Sequence, residues 1–230
     1  MPRILRPEQH AAKRNDIVQT ARHLVESKGY EQVSIQDVLD ELGISKGAFY
    51  HYFDSKPALL EAIVLSMADE VRDLLEPITR ETNGDAVFRL QQFVSALVTW
   101  KASQRGLLLA LMKVWYSDDN ALLRHKMRQA VTSIAAPKMA GIIRQGIHEG
   151  VFTVSCPDET AELLLCLLQH SAEAVGRLAL SSCVAKMRVE NTVTAYTEAI
   201  QRALGMPKGS FVLVDRRSLY RWFSSGDQSY

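Results

Sequence analysis

The sequence lacks the features that mark several common protein classes. It has three cysteines in 230 residues, and Cys156, Cys166 and Cys183 form no C-x-x-C pair, so they are interpreted as reduced thiols. No uninterrupted apolar run approaches the ~18 residues of a membrane-spanning helix. The N-terminal residues contain no apolar stretch of signal-peptide length. These absences predict a cytoplasmic protein with no membrane partner.

An excess of charge of one sign is also missing. The chain has 27 basic and 26 acidic residues, for a net charge of +1. Nucleic-acid binding by bulk electrostatics is therefore not supported, and any such contact must depend on where the charges lie. Two local clusters stand out, one at the N-terminus and one near residue 50: Arg3, Arg6, Lys13 and Arg14; and Lys46, His51 and Lys56.

Runs of alternating, β-branched sequence are absent as well, whereas apolar residues recur at helical spacing along most of the chain. The pattern predicts an all-α fold. We predict that Pro77 ends the fourth helix near Glu76 and that Pro137 kinks or breaks the seventh near Ala136. The predicted helices cover residues 9–28, about 34–42, 45–52, 56–76, 84–103, 106–116, 119–149, 157–181 and 186–205.

The segment Gly43-Ile44-Ser45-Lys46-Gly47 has two interpretations. It fits G-x-S-x-G, the turn that presents the nucleophile of a serine hydrolase, but that turn must follow a buried strand. The preceding residues instead have helical periodicity and begin with a capping-box pattern, Ser34-x-x-Asp37. A helix-turn-helix accounts for the segment better, with Gly43 at the turn and Phe49 in the core. A hydrolase using Ser45 and a helical interaction module without DNA binding stay as alternatives.

Residues from about Arg14 to Leu60 resemble the DNA-binding domain of TetR/AcrR-type bacterial transcriptional regulators. The resemblance is densest from Gly43 to Leu60, where the turn glycine, the aromatic residues and the following lysine all match the pattern of that family. It implies an N-terminal three-helix DNA-binding domain followed by a larger helical domain that binds a small molecule and dimerises. Residues 1–56, 57–206 and 207–230 are accordingly predicted to be the DNA-binding domain, the ligand-binding and dimerisation domain, and a C-terminal tail.

The resemblance also assigns roles to individual residues. It implies that Ser34, Tyr50, His51 and Lys56 contact phosphates. Ser45, Lys46 and Gly47 are expected nearest the base edges. The expected partner is double-stranded DNA with a palindromic operator, bound by a homodimer whose last two helices form the interface.

An effector site is predicted where aromatic and polar residues interrupt otherwise apolar helices. The candidates lie in two stretches: Trp100, Met112, Trp115 and Tyr116; and Gln169, His170 and Glu173. The predicted function is a ligand-responsive DNA-binding regulator, a repressor released from its operator by an unknown small molecule. We predict no enzymatic activity, no cofactor and no metal site.

Overall fold

The computed structural model describes residues 7–80, 83–115, 121–179, 186–215 and 219. Within those ranges the regular structure is helical and contains no strand, which confirms the all-α prediction. A single 3-10 turn, Tyr30–Gln32, follows the first helix. The helices are α1 (Pro7–Lys28), α2 (Ile35–Leu42), α3 (Lys46–Tyr50), α4 (Lys56–Arg80), α5 (Ala86–Ser103), α6 (Arg105–Trp115), α7 (Ala121–His148), α8 (Pro157–Ala179) and α9 (Lys186–Leu204).

The predicted end of α4 at Pro77 is wrong. The helix continues to Arg80, with Pro77 inside it. The turn around the proline is supported by Thr79, whose hydroxyl donates to the carbonyl oxygens of Leu75 and Glu76 at 2.9 and 3.1 Å. Packing of the buried Leu75 on the core also holds this turn, and such tertiary contacts override the local preference of proline. The helix α7 likewise continues through Pro137 without a break.

The chain forms two compact units. The first contains residues 1–69 and 106–127, and the second contains residues 70–105 and 128–230. Because α4 contributes residues to both units, the compact units follow packing rather than helix boundaries. The division into functional domains at residues 56 and 206 stays a prediction.

The core of the first unit lies where α1, α2, α3 and the start of α4 meet. Its residues come from the apolar sides of α1, α2 and α4 and from the aromatic segment after the turn. These side chains are at most 6% exposed: Ile17, Ala21, Leu24, Val25, Val38, Leu39, Phe49, Phe53, Leu60 and Ile63. The short helices α2 and α3 are therefore held at their crossing angle by tertiary packing, since neither is long enough to be stable alone.

The second unit has its own apolar core, to which α5, α7, α8 and α9 contribute. The segment after α9, described over residues 205–215, packs on this core without forming a helix there: Phe211 and Leu213 are 2% and 4% exposed. Two glutamines attach the segment through its backbone. Gln201 donates to the carbonyl oxygen of Phe211 at 2.9 Å, and Gln91 exchanges two hydrogen bonds with Val212.

In the part of the chain that the structure describes, no helix combines the length and the apolar character needed to cross a membrane.

Candidate nucleic-acid interface and internal cavity

The turn between α2 and α3 is built by Gly43. This residue has φ 60° and ψ 36°, the left-handed conformation that glycine adopts without a steric penalty. The Ile44 N–H then donates to the Leu39 carbonyl at 3.1 Å and closes the end of α2. Since a helix and not a strand precedes the glycine, the geometry of a nucleophile elbow is missing here.

Ser45 is the N-cap of α3. It has extended backbone angles, and its Oγ accepts a hydrogen bond from the Ala48 N–H at 3.2 Å. The helix therefore begins at Lys46, one residue later than predicted. An N-cap serine accepts through oxygen, so its hydroxyl hydrogen is still available to an incoming acceptor.

The two sides of α3 differ in chemistry. Phe49 is fully buried and packs edge-on against Tyr50, with ring centroids 5.5 Å apart. On the outer side Ser45, Lys46 and Gly47 are exposed, and Tyr50 is 42% exposed. The outer side thus presents hydroxyl and ammonium groups on a rigid base.

Gly47 is not required by the fold. It has a helical backbone, and a Cβ added at this position meets no atom within 4 Å. Alanine would strengthen the helix by about 1 kcal/mol relative to glycine.

Ser34, which was predicted to contact a phosphate, is the N-cap of α2. Its Oγ accepts from the Asp37 N–H at 3.1 Å and its own backbone N–H donates to the Asp37 carboxylate at 2.7 Å, which confirms the capping box. The Ser34 hydroxyl also donates to this carboxylate, at 2.5 Å. The hydrogen bonds from Ser34, followed by the one from Lys28, lower the pKa of Asp37. A phosphate contact by Ser34 stays a prediction, and it requires the hydroxyl to turn away from Asp37.

Lys56 joins two elements of the first unit. Its ammonium donates to the Glu31 carbonyl at 3.2 Å and lies 4.4 Å from the centroid of the Tyr30 ring. Lys56 therefore attaches the start of α4 to the 3-10 turn. An ammonium has three N–H donors, and the bond to Glu31 uses one of them.

His51 belongs to an aromatic cluster at the edge of the same surface. Its ring centroid lies 5.3 Å from that of His10 and 5.1 Å from that of Tyr52. His10, on α1, was missed by the sequence analysis because its distance along the chain gives no sign of this contact. Of the N-terminal basic residues, Arg14 lies 5.0 Å from the centroid of Phe53, whereas Arg3 and Arg6 lie outside the described residues.

The predicted effector residues are spread over both units. Met112 is half-buried in the first unit. Tyr116 and the side chain of Trp115 lie outside the described residues. In the second unit, the Trp100 indole donates to Glu70 at 2.9 Å, and Glu173 pairs with Arg128 at 3.3 Å.

The other two candidates lie on α8 beside Glu173. His170 is exposed, with Nδ1 2.9 Å from the Cys166 carbonyl oxygen. Gln169 has a buried Oε1 that finds no hydrogen-bond partner among the described residues. The effector role of all seven candidates stays a prediction.

A cavity of about 70 Å³ lies inside the second unit. Its walls are apolar side chains from α5, α8, α9 and the segment after α9, including Val98, Val175 and Leu213. Two lining residues are polar. Ser171 already donates to the Leu168 carbonyl at 2.8 Å, and Lys101 is the charged one.

Lys101 was missed because a lysine in a helix is usually solvated. The sequence does indicate this position, because Lys101 lies at helical spacing from Val94, Leu97 and Val98 and so shares one face of α5 with them. Burial lowers the pKa of Lys101 to about 8, and the nearby Glu173 carboxylate opposes this shift. The cavity lies next to several predicted effector positions without being lined by them: Lys101 follows Trp100, and Ser171 and Ala172 stand between His170 and Glu173.

Comparisons with known proteins agree with this architecture. Residues 17–63 match the model of bacterial regulatory proteins of the tetR family, and residues 111–174 match a tetracyclin repressor-like C-terminal domain. A TetR-family transcriptional regulator from Pectobacterium atrosepticum has the same fold, with a TM-score of 0.65 at 18% identity over 89% of this chain and 100% of that one.

Curated relatives match over shorter stretches. The HTH-type transcriptional regulator YvdT of Bacillus subtilis is 34% identical over 82 residues, 36% of this chain and 41% of that protein. The HTH-type transcriptional repressor KstR2 of Mycolicibacterium smegmatis is 30% identical over 63 residues, 27% of this chain and 31% of that protein. The chain thus spans less than half the length of these curated relatives. The helix-turn-helix geometry and the two matched domain models together show that the chain belongs to the TetR family of bacterial regulatory proteins.

Proposed function

We propose that this protein is a transcriptional regulator that binds double-stranded operator DNA through α3. The observation that carries the proposal is the outer side of α3, where an open glycine stands beside exposed Ser45, Lys46 and Tyr50. A recognition helix needs such a side, because its polar side chains reach the base edges when the helix lies in the major groove. The cytoplasm is the proposed location, since the operator lies there.

Gly47→Ala is the sharpest test. The substitution should leave the fold intact and raise helix stability, yet weaken operator binding, because the methyl group occupies the space that DNA needs. The measurement is a mobility shift with DNA from upstream of the protein's own gene, together with thermal unfolding. Gly141→Ala is the matched control, because Gly141 is also helical, exposed and open, but lies on α7. Equal operator affinity for the two variants would contradict the role of α3.

Lys46→Ala and Tyr50→Ala test the polar side chains of the same surface. Both should abolish operator binding while the circular dichroism spectrum stays that of a helical protein. If either variant still binds the operator, the residue that it replaces does not contribute to the DNA interface. The same assay distinguishes a regulator from an interaction module without DNA binding. A serine-directed active-site probe tests the hydrolase alternative, which is disfavoured because Ser45 caps a helix.

The regulator is proposed to act as a homodimer. Two recognition helices reach successive major grooves of a palindrome when they are about 34–36 Å apart. The apolar faces of α8 and α9 pack inside the chain, since Leu164, Leu168 and Val193 are buried. A dimer through these helices must therefore use their outer sides, where Leu163 is 51% and Met187 69% exposed. Light scattering that gives a monomer at micromolar concentration would contradict this assembly.

The regulator is also proposed to respond to a small molecule and to act as a repressor. An effector that binds better to a dimer whose recognition helices do not fit the operator shifts the population away from DNA. Release of operator DNA on adding the effector is the expected result.

A further inference from the structure

The cavity in the second unit combines an apolar wall with the positive charge of Lys101, which has no hydrogen-bonded partner among the described residues. Within the described residues, no hydrogen bond or ion pair involves the Lys101 ammonium. Glu173, whose charge acts on Lys101, is itself paired with Arg128 at 3.3 Å. A partly buried ammonium without a close partner is unfavourable, and an anion that enters beside it offsets part of that penalty.

The lining restricts the chemistry of such an anion. Among the described lining residues Lys101 is the one that is charged, and the Ser171 hydroxyl donates its hydrogen to the Leu168 carbonyl oxygen. Multiply charged groups such as phosphate need several donors, which this wall does not offer. A single carboxylate matches one ammonium, and the remaining valine and leucine side chains match an alkyl group.

The volume restricts the size of the ligand. The cavity volume of about 70 Å³ is about half the ~150 Å³ of an engineered cavity that binds benzene. An aromatic acid is therefore too large for the cavity in this form. We infer that the cavity binds a short-chain aliphatic monocarboxylate of about three or four carbons, with its carboxylate paired to Lys101 and its alkyl group among Val98, Leu168 and Val175.

This inference rests on the proposed function only in assigning the acid as the effector; binding itself is measured without DNA. Isothermal titration calorimetry on the full chain should show that butyrate binds and that butyramide, its neutral analogue, binds at least about tenfold more weakly, the usual effect of losing a charge-assisted hydrogen bond. From acetate to butyrate, affinity should rise about fourfold per methylene. It should fall for hexanoate, which exceeds the space.

Two variants locate the site. Lys101→Met keeps the length of the side chain without its charge and should reduce butyrate affinity to that of butyramide. Lys138→Met is the matched control, because Lys138 is also a partly buried lysine of the second unit but pairs with Glu76 at 2.6 Å, away from the cavity lining. Ala172→Leu fills the cavity and should abolish binding of every acid in the series.

The inference is overturned if butyrate and butyramide bind equally, if Lys101→Met binds butyrate like the wild type, or if affinity keeps rising through hexanoate. Its failure is distinct from failure of the proposed function. A protein that binds operator DNA but no short acid contradicts the ligand assignment alone. A protein that binds butyrate through Lys101 but no operator contradicts the regulatory proposal alone.

Discussion

Replacing Lys101 by methionine should stabilise the protein at neutral pH. The lysine lines an apolar cavity, and its pKa is lowered from 10.5 to about 8 because burial penalises the charged form. One pKa unit corresponds to about 1.4 kcal/mol, so the charge costs the folded state roughly 3 kcal/mol at pH 7. The side chain keeps partial access to solvent, which makes this figure an upper bound. We expect Lys101→Met to raise the free energy of unfolding by about 1–3 kcal/mol.

The gain should depend on pH in a defined direction. Below pH 8, Lys101 is charged in both the folded and the unfolded state, and the full penalty is present. Between pH 8 and 10.5, Lys101 loses its proton in the folded state but keeps it in the unfolded state. The contribution of Lys101 to the free energy of unfolding therefore becomes more favourable as the pH rises. The advantage of the methionine variant should therefore be constant below pH 8 and should shrink as pH approaches 10.5.

Urea unfolding of both proteins at several pH values between 6 and 10.5 measures this difference directly. Using the difference between variants removes the titration of all other groups. The control Lys138→Met should destabilise the protein, because that lysine is paired with Glu76 and hydrogen-bonded to Thr79. A methionine variant less stable than the wild type at pH 7, or an advantage independent of pH, would refute the argument that Lys101 is a buried charge without a close partner.

Three further outcomes follow from the contacts. Gly146→Ala should destabilise the protein by about 1–3 kcal/mol in thermal unfolding, because an added methyl group overlaps the Phe152 ring. Ser34→Ala should cost about 1 kcal/mol through loss of the N-cap. Since the lowered pKa of Asp37 depends first on Ser34, that variant should also lose less stability than the wild type as the pH falls below 4. Lys56→Met should reduce the salt dependence of operator binding by about one unit of slope if Lys56 contacts a phosphate. An unchanged slope with lower stability would restrict Lys56 to its contacts with Glu31 and Tyr30.

Features set by a few neighbouring residues were predictable. The turn needs a positive φ, and Gly43 supplies it in both the sequence pattern and the structure. The capping box is contained within four residues, Ser34 to Asp37, and formed as predicted. Helix faces also followed the spacing of apolar residues, because only one side of each helix can be buried. Pro77 is the exception, because the packing of Leu75 and the hydrogen bond from the Thr79 hydroxyl stabilise the helix beyond the proline.

The sequence by itself determined the helical class, the helix-turn-helix and the outward side of α3, because these depend on local backbone preferences and on the periodicity of apolar residues. Only the tertiary structure decided what surrounds each polar side chain. Adjacent residues of a helix point about 100° apart. Packing therefore decided which helix faces line the cavity, and it placed Lys101 and Ser171 on the wall, next to the predicted Trp100 and His170. The attachment of Lys56 to Glu31, 25 residues away, is equally invisible in the local pattern, because it exists only once the two segments have folded together.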